Sequence, residues 1–85
     1  YTLSLHDALP ISIHLVLANL LTHTHLALAS EYARLVAPGG SLVLGGMLDH
    51  EDEHVSQTLA GAGFTPRSRL ALDGWASRWL EAPRP

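Results

Sequence analysis

An asparagine ends the first strongly apolar stretch of the chain. Residues Ile13–Ala18 are apolar apart from one histidine, and Asn19 follows them directly. A short apolar run bounded by turn residues is typical of a strand that is covered on both faces in a parallel sheet. Ligands of such sheets bind beyond the carboxyl ends of the strands, where a carboxamide can accept and donate hydrogen bonds. Asn19 is therefore the first candidate for chemistry, and the alternative is a residue that only shapes a turn.

Two histidine patterns have spacings that occur in metal sites. The run from His50 to His54 matches H-E-x-x-H, in which two histidines on one helix face bind zinc beside a glutamate base. Here the run lies among carboxylates at the start of a predicted helix, which is the usual composition of an exposed first turn. No histidine follows His54 to complete the ligand set. The sequence therefore predicts no metal site, and it predicts solvated side chains for His23 and His25.

A strand, a helix and a second strand are expected to position Asn19. The first strand covers Ile13–Ala18, and a turn rich in threonine and histidine follows it. Apolar residues then recur at helical spacing, at positions 28, 32, 35 and 36. Thr22 or Thr24 can cap this helix, and the Pro-Gly-Gly run at residues 38–40 is expected to end it. The second strand is expected at Ser41–Gly45.

A second helix and a hairpin complete the predicted order. Asp49 can cap the helix, whose apolar stripe is formed by Val55, Leu59 and Ala62. The expected hairpin strands are Phe64–Leu72 and Trp75–Glu81, because the Asp-Gly pair between them strongly favours a tight turn.

The elements predict an α/β fold with the order β-α-β-α-β-β, whose last two strands form the hairpin. A right-handed crossover makes the first two strands parallel, and the hairpin adds an antiparallel strand at the end of the sheet. Two parallel strands cannot form a covered sheet alone, so further strands are expected upstream of Ser12. Gly45 and Gly46 are interpreted as small residues at a strand end near a helix.

Exposed and packed side chains are expected on the hairpin. Arg67 and Arg69 alternate with Ser68 and Leu70, so one face of the first hairpin strand is predicted to meet solvent. The two tryptophans of the second hairpin strand, at positions 75 and 79, are predicted to pack on one face of the sheet.

Composition excludes several classes of protein. The 85 residues carry a net charge of −3 with only five basic side chains, so no basic patch for nucleic acid is expected. There is no cysteine for a disulfide. No apolar run approaches the roughly 20 residues of a membrane span. The cytoplasm is the expected location.

The first eleven residues are interpreted as non-native. Tyr1–Ile11 match, codon by codon, a common short-read sequencing adapter translated in one frame, and Ser12 is compatible with the base left over at the junction. The alternative is an ordinary amphipathic segment, because several leucines lie within it. We expect residues 1–11 to be adapter-derived and exclude them from reasoning about the fold.

Five strings of residues occur in an order that resembles a known family. They are, in chain order, Leu17-Ala18-Asn19-Leu20-Leu21, Leu35-Val36-Ala37-Pro38-Gly39-Gly40, Gly45-Gly46-Met47-Leu48, Ala60-Gly61-Ala62-Gly63-Phe64 and Asp73-Gly74-Trp75. Together they resemble the C-terminal half of a class I S-adenosylmethionine-dependent methyltransferase, with the PrmA type of ribosomal protein methyltransferase as the best match. Residues 12–85 would then be a C-terminal fragment of a methyltransferase catalytic domain, with half of its Rossmann-like sheet.

This resemblance implies a reaction and roles for three residues. The parent enzyme would transfer methyl groups from S-adenosylmethionine to amines of a large-subunit ribosomal protein, without binding nucleic acid or a membrane. Asn19 would be the catalytic residue and would also contact the cofactor, while Ala18 and Leu20 would bind the substrate with it through their main chain. The Gly-rich loop and the acidic residue that hold most of the cofactor in this fold are absent from the sequence. The fragment is therefore expected to be inactive.

Two other functions stay open on the sequence. The parent could be another class I methyltransferase, acting on a small molecule or on a glutamine amide. The chain could also be a non-catalytic α/β interaction module that folds alone.

Overall fold

The computed structural model describes residues 12–84, which form one four-stranded sheet with three helices. The elements are, in chain order, β1 (Ile13–Asn19), α1 (Thr22–Ala27), α2 (Ala29–Leu35), β2 (Val36–Leu48), α3 (Asp52–Gly61), β3 (Thr65–Leu72) and β4 (Trp75–Glu81). The predicted order is confirmed, with its first helix divided in two. The segment interpreted as adapter-derived, residues 1–11, lies outside the described residues.

The strand order is β1-β2-β4-β3. β1 runs parallel to β2, and Asn19 lies opposite Gly45 at the end of this pairing. β4 is antiparallel to both β2 and β3. The turn between β3 and β4 places Asp73 at φ 54° and Gly74 at φ 84°, the left-handed backbone that a tight hairpin requires. The predicted parallel pair and closing hairpin are both confirmed.

The helices cover only one face of the sheet. That face holds the core, which includes Leu42, Leu44 and Leu80 from the strands and Val55 and Leu59 from α3. The opposite face, which we call the open face, exposes a row of large apolar side chains: Leu15, Leu17, Leu70, Leu72, Trp75 and Trp79. Among residues 12–84 the expectation that β1 is covered on both faces is therefore wrong. No helix of this region combines the length and the apolar character needed to cross a bilayer.

The two tryptophans lie on the open face, as their spacing indicated, but no second layer covers them. Trp75 is 51% exposed and Trp79 is 39% exposed. Trp79 is held in place by its indole N–H, which donates to the Ser41 hydroxyl at 2.9 Å. The two rings share one face of the sheet, as predicted, and both remain partly exposed there.

The first helix differs from its prediction because the Thr/His-rich segment is itself helical. Thr22 is the first residue of α1, and neither threonine caps it with a side-chain bond. Leu28, at φ −96° and ψ 4°, separates α1 from α2. β2 begins directly after α2, so the Pro-Gly-Gly run lies within the strand. Pairing explains this, since Val36 already lies opposite Ile13 and the Gly40 carbonyl accepts the Ala82 N–H.

The second predicted helix begins later than expected. Its N-cap is Glu51 rather than Asp49, and no side chain caps it. The Asp49 N–H instead donates to the Gly74 carbonyl at 2.9 Å, which ties this loop to the hairpin turn. Val55 and Leu59 are buried as predicted, whereas Ala62 lies beyond the helix and is exposed.

Candidate functional site

The Asn19 side chain lies exposed at the carboxyl end of β1, where the sequence placed it. Its neighbours are the two glycines that follow the centre of β2. A Cβ on Gly45 would lie 3.2 Å from Asn19 Oδ1, and one on Gly46 would lie 2.9 Å from it. Gly46 also has φ +82°, and its Cβ would lie 2.5 Å from the Leu20 carbonyl oxygen. Only glycine fits at Gly46, because a Cβ there would meet the Leu20 carbonyl and the Asn19 side chain. A helix also approaches this strand end, as interpreted from the sequence, since His25 of α1 lies 2.8 Å from the Gly45 carbonyl oxygen.

A cleft of about 810 Å³ opens beside Asn19. Its walls are mainly apolar, and they include Leu21 after β1 and Leu70 and Trp75 from the hairpin. Ser77 adds a hydroxyl to the lining. A carboxamide beside an apolar wall can orient a polar group whose attached carbon chain packs on that wall. The exposed indole of Trp75 also offers a face that attracts a cationic nitrogen.

The other two predicted site residues flank Asn19 with their main chains engaged. Ala18 pairs with Leu44 in the β1–β2 ladder. The Leu20 N–H donates to the Gly45 carbonyl at 3.1 Å. The three residues Ala18, Asn19 and Leu20 are thus fixed against the end of β2, and the Leu20 N–H already has an acceptor.

His25 is buried, and the prediction that it is solvated is wrong. It is fully inaccessible, with Nδ1 2.8 Å from the Tyr32 hydroxyl and Nε2 2.8 Å from the Gly45 carbonyl oxygen. Burial lowers the pKa of His25, although hydrogen bonds to the carbonyls of Gly45 and Leu20 oppose that shift. Burial also raises the pKa of Tyr32 to about 12. Both groups are neutral at pH 7. They lie next to Gly45, the residue that pairs with Asn19.

The H-E-x-x-H pattern does not form a zinc-binding face. His50 precedes α3, whose first residue is Asp52, so the two histidines of the pattern do not share a helix face. Within residues 12–84, no three His, Asp or Glu side chains come together in a way that would hold a metal ion.

Asp52 instead anchors the hairpin that carries Trp75. Its carboxylate is 1% exposed and accepts hydrogen bonds from Arg69 Nε and Arg78 Nε, each at 2.7 Å. The hydrogen bond from Arg69 is the main reason that the pKa of Asp52 is lowered, and Arg78 adds to it. Arg69 lies on an exposed strand, as predicted for one face of β3, and its side chain is 40% exposed while its guanidinium reaches Asp52 at the start of α3. We call these three residues the Asp52 cluster.

The comparison with families decides what kind of protein this is. The model of the family described as Ribosomal protein L11 methyltransferase (PrmA) matches residues 2–82. The chain belongs to the PrmA family. The resemblance found in the sequence is thereby confirmed. The matched range includes residues 2–11, so the adapter origin of the first segment stays a prediction.

Similar sequences support the family, and similar solved structures support the fold. The ribosomal protein L11 methyltransferase of Thermus thermophilus is 40% identical over 73 residues, which are 85% of this chain and 29% of that protein. The crystal structure of ribosomal protein L11 methylase from Lactobacillus delbrueckii subsp. bulgaricus superposes with a TM-score of 0.83 at 18% identity, over 96% of this chain and 42% of that one. The M1.HpyAVI–SAM complex superposes with a TM-score of 0.72 at 15% identity, over 86% and 46% of the respective chains.

These likenesses establish the fold class as α/β, with the sheet of half a Rossmann-like methyltransferase. The PrmA match covers nearly the whole chain, yet the chain spans less than a third of the Thermus relative and less than half of either solved structure. The cleft beside Asn19 is thus a site within one part of a methyltransferase fold.

Proposed function

We propose that this chain is the C-terminal, acceptor-side part of an enzyme that transfers methyl groups from S-adenosylmethionine to amines of a large-subunit ribosomal protein. The observation that carries the proposal is the exposed Asn19 carboxamide at the carboxyl end of β1, beside the apolar cleft. The family of the chain and the name of its Thermus relative support the substrate class. Such a substrate would place the enzyme in the cytoplasm, with no direct contact to nucleic acid or a membrane.

Asn19 would act by orienting the acceptor amine. Methyl transfer requires a neutral amine whose lone pair points at the methyl carbon, so positioning provides much of the acceleration. The Asn19 carboxamide oxygen can accept an N–H of the amine and leave the nitrogen lone pair free. The apolar wall that includes Leu70 and Trp75 would pack on the carbon chain of the acceptor. Exclusion of water there would lower the pKa of the amine and favour its neutral form.

The described residues fit one side of the cofactor. S-adenosylmethionine, when bound, supplies a methyl group on a sulfonium sulfur. Asn19 can donate its NH₂ group to cofactor oxygens, but the residues that line the cleft include no carboxylate that would hold sugar hydroxyls. We therefore propose that the chain, as given, is inactive. Calorimetric titration of the 85-residue chain with S-adenosylmethionine is expected to give no saturable heat, and saturable binding would contradict this part of the proposal.

A chimera tests the function itself. Residues 13–82 would replace the matching segment of the Thermus thermophilus relative, and transfer of labelled methyl groups to ribosomal protein L11 would be measured. We expect activity in the chimera and a fall of about 10²–10³-fold on Asn19→Ala, the usual loss when a positioned polar group is removed. Gln57→Ala, on the exposed side of α3, is the matched control and should leave the rate unchanged.

Either of two results would overturn this proposal. One is an active chimera in which Asn19→Ala keeps the parent rate. The other is a chimera that ignores the ribosomal protein and methylates a small molecule or a glutamine amide instead.

A further inference from the structure

A buried chain of hydrogen bonds runs beneath the Asn19 site. The Gly45 carbonyl can only accept, so His25 Nε2, at 2.8 Å, must carry a hydrogen. In the neutral ring Nδ1 is then an acceptor, and the Tyr32 hydroxyl, 2.8 Å away, must donate to it. The donor and acceptor of each hydrogen bond are therefore fixed: Tyr32 donates to His25, and His25 donates to Gly45.

The end of this chain is the carbonyl that holds the site together. Gly45 O accepts two hydrogens, one from His25 Nε2 and one from the Leu20 N–H at 3.1 Å. Asn19 lies opposite Gly45 in the β1–β2 pairing, with its Oδ1 close to the backbone of Gly45 and Gly46. A tilt of the Gly45 peptide would therefore move both the Leu20 main chain and the surface on which the Asn19 carboxamide rests.

Core packing alone does not require polar groups here. Tyr32 and His25 are both fully buried, and apolar side chains of similar size would fill the same space without desolvation of a phenol and an imidazole. What apolar side chains could not do is fix the direction of a carbonyl group. A fully satisfied polar network is suited to that task because it favours one arrangement of its members.

We propose that His25 is a positioning residue, which holds the Gly45 carbonyl and thereby sets the place of the Asn19 carboxamide and the Leu20 main chain. The link to methyl transfer rests on the function proposed for Asn19, but the positioning itself does not. His25 touches neither substrate nor cofactor in this assignment. It acts through Gly45, and Tyr32 acts through His25.

Two substitutions of His25 separate its two hydrogen bonds. The amide nitrogen of Gln in His25→Gln can take the place of Nε2 and donate to Gly45, whereas Asn in His25→Asn reaches only as far as Nδ1 and loses that bond. In the ¹⁵N-labelled 85-residue chain, the readouts are the Asn19 side-chain amide shifts and the hydrogen-exchange rate of the Leu20 N–H. Exchange of the Leu42 and Leu44 amides, in the core, reports on overall stability.

We expect His25→Asn to move the Asn19 side-chain signals and to speed Leu20 exchange about fivefold or more relative to the core amides. His25→Gln should restore both toward the parent values. The proposal is overturned if Asn19 and Leu20 do not respond to His25→Asn, or if they respond only in proportion to Leu42 and Leu44. It is also overturned if both variants give the same change.

A third variant decides the matter if His25→Asn does not fold. Tyr32→Phe keeps the imidazole and the Nε2–H that Gly45 requires but removes the donor to Nδ1, so ring ¹⁵N shifts should change at Nδ1 as the ring is held by one hydrogen bond instead of two. A shift of the Asn19 side-chain signals in that variant supports the proposal, and unchanged signals overturn it. None of these measurements includes a methyl donor or acceptor, so an inactive chimera would leave their outcome intact.

Discussion

Two buried networks of polar side chains differ in charge and in the elements of the fold that they connect. The chain of His25, Tyr32 and the Gly45 carbonyl is neutral and supports the carboxyl end of β1 and β2. The Asp52 cluster is ionic and fastens the β3–β4 hairpin to the start of α3. A neutral chain fixes orientation through directional bonds, whereas an ionic cluster joins separate elements through charge. The candidate site thus has a directional support on one side and an ionic anchor on the other.

The largest expected effect comes from breaking the ionic anchor. Asp52→Ala would remove the buried carboxylate that lies 2.7 Å from Arg78, whose side chain is only 11% exposed, and would leave Arg78 paired only with the exposed Glu53. We expect a loss of about 3 kcal/mol in the free energy of unfolding, at the lower end for a broken buried ion pair because Arg69 is partly exposed. Urea denaturation measures this. Glu31→Ala, which breaks the exposed pair with Arg34, is the control and should cost less than about 1 kcal/mol. Equal losses would show that the cluster is no anchor.

Two glycines with similar backbones provide the next test. Gly46 has φ +82° and a carbonyl oxygen 2.5 Å from its virtual Cβ, whereas Gly74 has φ +84° and no atom within 4 Å. Alanine at Gly74 should cost about 1–2 kcal/mol for the left-handed backbone alone. Alanine at Gly46 should cost about 1 kcal/mol or more beyond that, because Leu20 must shift. The two substitutions are compared by their urea midpoints, and equal midpoints would contradict the close contact at the site.

Removal of one hydroxyl tests the neutral chain. Tyr32→Phe leaves His25 Nδ1 buried without its donor, which should lower the free energy of unfolding by about 1–2 kcal/mol. Thr58→Ala removes a hydroxyl that donates to the His54 carbonyl on the outer side of α3, and it should change stability by less than about 0.5 kcal/mol. If the Tyr32→Phe protein is as stable as the parent, the hydrogen bond from Tyr32 to His25 makes no net contribution to the free energy of unfolding.

The smallest expected effect is the change of the free energy of unfolding with pH. It also separates the network of His25 from the Asp52 cluster most clearly. The pKa of His25 is lowered in the folded state, so the unfolded chain binds a proton first as the pH falls. The stability from neutral His25 is complete above its usual value of 6.5 and is lost as the pH falls through the lowered pKa, by at most about 1.4 kcal/mol per pH unit. The lowered pKa of Asp52 gives a second loss, below its usual value of 3.8.

Urea midpoints measured against pH resolve these two windows. His25→Gln should abolish the loss that begins near pH 6.5 and keep the one below pH 3.8. A variant that kept the first loss would assign it to a group other than His25.

The sequence predicted those features whose cause is local. The Asp-Gly pair determines the hairpin turn through its own backbone preferences, and the apolar run of β1 ends where its asparagine begins the site. Val55 and Leu59 follow helical spacing and are buried. These parts needed no knowledge of distant partners.

The parts that could not be predicted depend on distant partners. His25 lies in a polar Thr-His-Thr-His string that looks like a solvated turn, and its burial depends on Tyr32 and on Gly45, which is 20 residues away. Asp52 looks like a first-turn carboxylate, but its two arginines come from the hairpin, 17 and 26 residues further on. Buried charges are rarely unpaired, so a buried Asp52 would be expected to have a basic partner. This rule does not identify which arginines pair with it.

The strand order also constrains the sequence of folding events. The β3–β4 pairing joins residues across a tight turn, whereas the pairing of β2 with β4 joins Ser41 to Glu81 and must close a far longer loop. Local hairpins form within about 1–10 µs, and long-range pairings form later because they pay more loop-closure entropy. The β3–β4 hairpin, which carries Trp75, can thus form before β4 pairs with β2. The cleft beside Asn19 is lined both by the end of β1 and by the hairpin. It can therefore form only after the hairpin has paired with the rest of the sheet.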